Sequence, residues 1–438
     1  MHQADQRPQP PLPTPGTTPG GHGHSHAHGP AQPSSRRVRL ILAALVVPLA
    51  LATLVGLVVL WPSGPTPKLE GLHENPLAYG TVTATAQQPC EALAGTPAPS
   101  PATGKLCARV TVRITAGPGT GRTVQQDVGT GSGNPRFAIG DEVVLAYAPN
   151  SPPEYQYQLV DFERRTPMLL LGAVFALAVV AFGRLRGLAA LGALVLSFTG
   201  LVVFVLPAIL AGANPLLVAV VGGSAIMLTA LYLTHGLSAR TSAAVLGTCV
   251  SLALIGLLGL LFIEAGNLTG LGSETGGQLG ALFQRIDLRG LLLAGMVIGS
   301  LGVLDDVTVT QASVVWELRA ANPGYRARQL YTAALRVGRD HIASTVNTLV
   351  LAYAGASLPL VLLFSVSSRG LLEAVSTEEI AQEVIRTLVG GIGLAASVPV
   401  TTALAALVAV QEQPEPVPTP PVDPATGQPV NRGRHRRG

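Results

Sequence analysis

Residues 288–316 read LRGLLLAGMVIGSLGVLDDVTVTQASVVW. From Leu288 to Trp316 the run is apolar and glycine-rich, interrupted chiefly by the pair Asp305-Asp306 and the Thr and Gln residues that follow. About twenty apolar residues cross the hydrocarbon of a bilayer, so this stretch is long enough to be a membrane span. The acidic pair then sits near the inner end of that span, or inside a longer helix that leaves the bilayer obliquely. Carboxylates at membrane depth are costly, which makes Asp305 and Asp306 functional candidates as well as possible marks of where the helix meets water.

Similar runs recur on both sides. Leu40 to Trp61, Pro167 to Gly183, Leu188 to Leu210, Pro215 to Thr234, Ser242 to Ile263, Leu288 to about Val309, Ile342 to Phe364 and Val384 to Val410 give about eight expected transmembrane helices. The first begins after a long polar tail and no A-x-A-like site follows it, so it reads as a signal anchor (40–61) and not as a cleaved leader. Composition agrees: 48% of the 438 residues are hydrophobic and 12% charged, against roughly 25% charged in an average soluble domain. Mean hydropathy is +0.44. The net charge of +4 comes mainly from arginines in short runs beside apolar segments. That is a topology signal and argues against a nucleic-acid partner.

Lys and Arg accumulate on the cytoplasmic side of short loops. A chain that starts inside places Arg36, Arg37, Arg39, Arg184, Arg186, Arg240 and the arginines between Arg319 and Arg339 on that side, with Arg432 to Arg437. The opposite side keeps chiefly Arg285, Arg289 and Arg369; Arg164 and Arg165 end a segment long enough to cross regardless of charge. Both termini are therefore expected in the cytoplasm.

Residues 62–165 differ in character, with short Val, Thr and Tyr runs broken by Gly and Pro. Three strands are expected, Leu77 to Ala86, Cys107 to Thr115 and Val143 to Tyr147, in a small open β barrel or sandwich on the extracytoplasmic side. Cys90 and Cys107 flank a Pro/Ala/Gly-rich loop; the spacing leaves open a disulfide or two separate thiols. The tails, 1–35 and 411–438, are polar and Pro-rich, too poor in large apolar side chains to offset ordering entropy. Within the first, His22, His24, His26 and His28 alternate with small residues and offer imidazoles to a soft divalent metal ion, although a merely composition-biased tail looks the same.

Other polar groups share the depth of the acidic pair. Thr308 and Gln311 follow it on the same helix, and His341 and Asn347 stand at the start of the next span. Asn347 is expected either to hydrogen-bond the acidic helix or to line a polar cavity. Ser344, Thr348, Ala352 and Ala356 recur every fourth residue, a small-residue stripe suited to close helix packing. Residues 310–340 read as a cytoplasmic helical hairpin broken at Asn322-Pro323-Gly324, with Trp316 and Tyr331 at headgroup level. Ser376 and Glu379 have capping-box spacing, and Pro399 is expected to kink the last span.

An enzymatic activity is the weakest reading. The chain carries no P-loop, nucleophile elbow or HExxH in a matching context. Asp305 and Asp306 diverge by about 100° on one helix, and Glu264 belongs to the far end of its span, so no shared-proton carboxylate dyad is expected.

The stretches GVLDDVTVTQ (302–311), HIASTVNTLVLAYAGASLP (341–359) and HGLSARTSAAVLGT (235–248) resemble the YibE/F family of bacterial multipass membrane proteins. The resemblance runs from about Arg164 to Val410. It implies a bacterial plasma membrane location and a shared helical core, with no agreed substrate, reaction, cofactor or catalytic residues. The expected activity is permease-like transport of an ion or small solute. The alternative is a membrane scaffold or sensor that binds an envelope protein through the β domain.

Overall fold

The computed structural model describes residues 35–63, 76–89, 106–129, 134–283, 285–366, 370, 373 and 375–412. The histidines His22 to His28, Cys90 and the C-terminal tail from Gln413 lie outside the described residues.

Helix α1 (Arg36–Val59) opens on Ser35, whose hydroxyl accepts from the Val38 amide at 3.4 Å. The chain then enters a five-stranded antiparallel sheet: β1 (Leu77–Pro89), β2 (Leu106–Ala116), β3 (Thr123–Gly129), β4 (Glu142–Tyr147) and β5 (Tyr157–Phe162). The strand order is β3-β2-β1-β4-β5. Val82 faces Val112, and Tyr79 faces Val144, which fixes the register on either side of β1. Ala78, Val82, Val110, Val112, Ile114, Val143, Leu145 and Tyr157 form the core of this sheet. Edge strand β3 approaches edge strand β5, so one sheet curls on itself; it is not a two-sheet sandwich. The expected strands coincide with β1, β2 and β4. The two unexpected ones are the edges, where TVQQDVG and YQLVDF are largely solvated and carry little apolar alternation. Cys107 on β2 is disulfide-bonded.

Among the described residues, six helices are long and apolar enough to cross a membrane: Arg36–Val59, Arg165–Leu210, Pro215–His235, Ala239–Ala265, Leu288–Ala321 and Glu378–Ala409. The second of these joins what the sequence divides into two spans. It comprises α2 (Arg165–Gly200), a π-helical turn over Leu201–Val205 and the short α3 (Leu206–Leu210). Within α2, Arg184 has φ 53° and ψ −133°, which breaks the helix. A Cβ on Gly187 would come within 2.2 Å of the Val179 carbonyl oxygen. Residues eight apart in a straight helix are about 12 Å apart, so the chain doubles back at Arg184.

The remaining helices are α4 (Pro215–His235), α5 (Ala239–Ala265), α6 (Glu274–Leu282), α7 (Leu288–Ala321), α8 (Ala327–Ala356), α9 (Leu358–Ser365) and α10 (Glu378–Ala409). The α4–α5 connection follows from local chemistry. Gly236 takes φ 75° to end α4, and the Ser238 hydroxyl accepts from the Thr241 amide at 3.1 Å to start α5.

Of the two arrangements open for the acidic pair, the longer helix is formed: α7 runs unbroken from Leu288 to Ala321, about 51 Å at 1.5 Å per residue. At its far end Ala312 and Val315 share a buried cluster with Ala243, Ala244, Leu330, Ala334 and Ala405. Trp316 donates to the Glu412 carboxylate at 2.7 Å. The expected turn at Asn322-Pro323-Gly324 does separate α7 from α8. Helix α10 begins at Glu378, with Thr377 at the cap position.

Helices α5, α7, α8 and α10 make the centre of the bundle. Close approach is built in by missing side chains. A Cβ on Gly393 of α10 would meet the Ile255 side chain of α5 at 2.2 Å, and one on Gly338 of α8 would meet Val398 at 2.5 Å. The start of α1 meets the start of α5, the end of α7 and the end of α10 in one cluster (Val38, Leu42, Ala239, Trp316, Val408). The arginines next to those helix ends therefore gather at one end of the bundle, called here the basic end.

Candidate functional site

Helix α7 carries four of the six candidate residues, and its periodicity sorts them. Thr308 is fully buried, and its hydroxyl lies 2.8 Å from that of Thr248 on α5. Gln311, 2% exposed, donates through Nε2 to the Ala334 carbonyl of α8 at 3.1 Å and to Thr402 Oγ1 of α10 at 2.7 Å. The Thr402 hydroxyl in turn donates to the Val398 carbonyl. Gly338 makes room for this: a Cβ there would stand 2.8 Å from Gln311 Oε1. Thr308 and Gln311 thus tie α7 to three neighbours by hydrogen bonds inside the protein.

The acidic pair behaves differently. Asp305 is half-buried, and its Oδ1 is enclosed with no hydrogen-bond partner among the described residues. Asp306 is exposed, on a row with Gly295, Gly299, Gly302 and Thr310 that is exposed throughout. That row lies beside α8, since a Cβ on Gly299 would stand 3.3 Å from the Tyr353 hydroxyl. Pairings of Gln311 with Ala334 and of Gly299 with Tyr353 show that α7 and α8 run antiparallel.

On α8, Nε2 of half-buried His341 is enclosed and likewise meets no partner among the described residues. Asn347 is exposed, together with Ser344 and Thr348. No hydrogen bond joins Asn347 to Asp305 or Asp306 among the described residues, so of the two expected arrangements the bonded one is not formed. The structure therefore brings Thr308 and Gln311 into a closed packing layer and leaves Asp306 and Asn347 on open faces of adjacent helices. It brings no three His, Cys, Asp or Glu side chains together as metal ligands among the described residues.

Glu264 stays apart from this region. It pairs with Arg289 at 3.5 Å on the surface, sixteen residues or about 24 Å of helix from Asp305. Sequence reading missed the partners Thr248, Thr402 and Gly338. Thr and Gly are common in spans, and nothing in their spacing marks which will meet a glutamine on another helix. It also missed Glu378, which accepts from the Thr269 amide at 2.7 Å, the Gly270 amide at 2.8 Å and Gln382 at 3.0 Å, and so clamps the loop after α5 to the start of α10.

No curated protein and no solved structure matches the chain. The family model described as YibE/F-like protein matches residues 171–411, more than half of the chain and all of α4 to α10. The quoted motifs around Asp305, His341 and His235 lie inside that match, so the chain belongs to the YibE/F-like family.

Proposed function

We propose that this YibE/F-like membrane protein is a permease-like transporter of an ion or small solute in the bacterial plasma membrane. The observation that supports it most is a contrast among polar residues along α7 and α8. Thr308 and Gln311 are hydrogen-bonded inside the protein, whereas Asp306 and Asn347 are exposed on neighbouring antiparallel helices and Asp305 Oδ1 and His341 Nε2 have no partner among the described residues. Polar groups at membrane depth face either protein or a water-filled path, because hydrocarbon solvates neither.

In this reading the chain crosses eight times. The fold-back at Arg184 divides α2 into two crossings, and α8, about 45 Å long, accompanies α7 back across. The basic end faces the cytoplasm by the positive-inside rule, which places both termini there and the sheet outside. Asp305 and Asp306 then open to the cytoplasmic half.

Thiol accessibility tests the path. Single cysteines at Asp305, Asp306 and Asn347 in a Cys249→Ala background are expected to react with a membrane-impermeant reagent on inverted vesicles. Protection of Asn347 with labelling of the Asp positions would mean an interfacial helix end and would favour the scaffold reading. The Asp305→Asn/Asp306→Asn double variant is expected to lose a transport-linked phenotype with normal expression and folding; retention of that phenotype would remove the carboxylates from the mechanism.

A second reading, a scaffold or sensor that binds an envelope protein, draws on the sheet having a core of its own.

A further inference from the structure

A cavity of about 420 Å³ lies between α1, α4, α5 and α7, and its lining residue Cys249 directly follows Thr248, the partner of Thr308. Its lining is apolar apart from Ser224 and Cys249. Along α5 it extends from Cys249 to Leu260, eleven residues or about 16 Å of helix. That is close to half of the roughly 30 Å hydrocarbon thickness, the depth of a single leaflet. Cys249 and Gly223 mark its inner end near the middle of their helices, while Leu216 and Leu260 mark the end away from the basic arginines. Its flank is open, since Val220, Leu257 and Leu260 are about half exposed.

Two glycines keep the space free. Gly223 is buried, yet a Cβ on it, or on Gly256, would meet no atom within 4 Å. An empty space of this size forfeits packing contacts along its whole lining. Water needs two to four polar partners at such a place, and the lining supplies one hydroxyl and one weakly polar thiol. A hydrocarbon chain satisfies the lining without polar partners.

We propose that this cavity is a binding site for one acyl chain of a membrane lipid, entering from the leaflet away from the basic end with its methyl terminus toward Cys249. The site is about one leaflet deep and lined by residues of α4, α5 and α7, with Leu49 of α1.

The test is photolabelling of the full chain in bilayers of phosphatidylethanolamine and phosphatidylglycerol. A small fraction of the phosphatidylglycerol carries a diazirine at the end of one acyl chain. Adducts are expected to concentrate on Cys249 to Gly256. A Gly223→Leu/Gly256→Leu variant should lower them about tenfold, the change that loss of roughly two methylenes of burial produces. Moving the diazirine next to the headgroup should move the adducts to Leu216 and Leu260 in the unmodified chain. Adducts at Cys249 no denser than at Leu177, which is 71% exposed on α2, would overturn the proposal. So would adducts whose position ignores that of the diazirine, a result that does not depend on the variant folding.

Discussion

The two faces of α7 between Leu301 and Ala312 both carry polar side chains, yet they do opposite things. On one face Leu304, Thr308 and Gln311 are sealed against α5, α8 and α10, and each polar group there has found a partner. On the other, Gly302, Asp306 and Thr310 stand open, and half-buried Asp305 at its margin holds an oxygen with no hydrogen-bond partner among the described residues. Successive side chains turn by about 100°, so a single helix presents a closing face and an open face at the same depth. Polarity at membrane depth is therefore not a mark of function by itself. Function is better sought where hydrogen-bonding capacity is left over.

That contrast can be broken by substitution on either face. The largest effect is expected for Gln311→Ala, which strips partners from the Ala334 carbonyl and Thr402 and opens a gap beside Gly338. A loss of about 1–3 kcal/mol is expected, read as a lower unfolding midpoint in detergent. Asp306→Asn alone should move the same midpoint by no more than about 0.5 kcal/mol, because it is exposed and holds nothing together. If Gln311→Ala proved silent and Asp306→Asn unfolded the bundle, the two faces would have to exchange roles.

The smallest effect is expected outside the membrane spans. The Arg164 guanidinium donates to Asp161 at 2.6 Å, and the Phe162 amide donates to it at 2.8 Å. These bonds hold the Asp161 carboxyl below the usual aspartate range. A depressed folded value contributes stability that is present above the unfolded pKa of about 3.9 and is lost as pH falls through the folded one. Asp161→Asn should therefore melt slightly below the unmodified chain at pH 7, with the difference closing in acid. Equal melting at both pH values would show the pair to be inert, as many exposed ion pairs are.

Much of the architecture was legible in the sequence because its signals are local. Runs of about twenty apolar residues, the Asn322-Pro323-Gly324 turn and the alternation in Cys107 to Thr115 each report on a few neighbouring side chains. The edge strands β3 and β5 were not legible, since an edge has solvent on one side and needs little apolar patterning. The continuation of α7 past Val309 was one of two arrangements the sequence left open; the pairing of Trp316 with Glu412 at its far end joins residues too distant in the chain to be read locally.

The candidate site divides in the same way. The sequence by itself picked out Asp305, Asp306, Thr308, Gln311, His341 and Asn347 as polar residues in two long apolar stretches, because such interruptions are local. Only the tertiary structure decided which of them are used up in packing and which remain open. That depends on the rotation of each helix about its axis and on where Gly338 and Gly393 let neighbours approach. These are contacts between residues far apart in the chain, which no local pattern encodes.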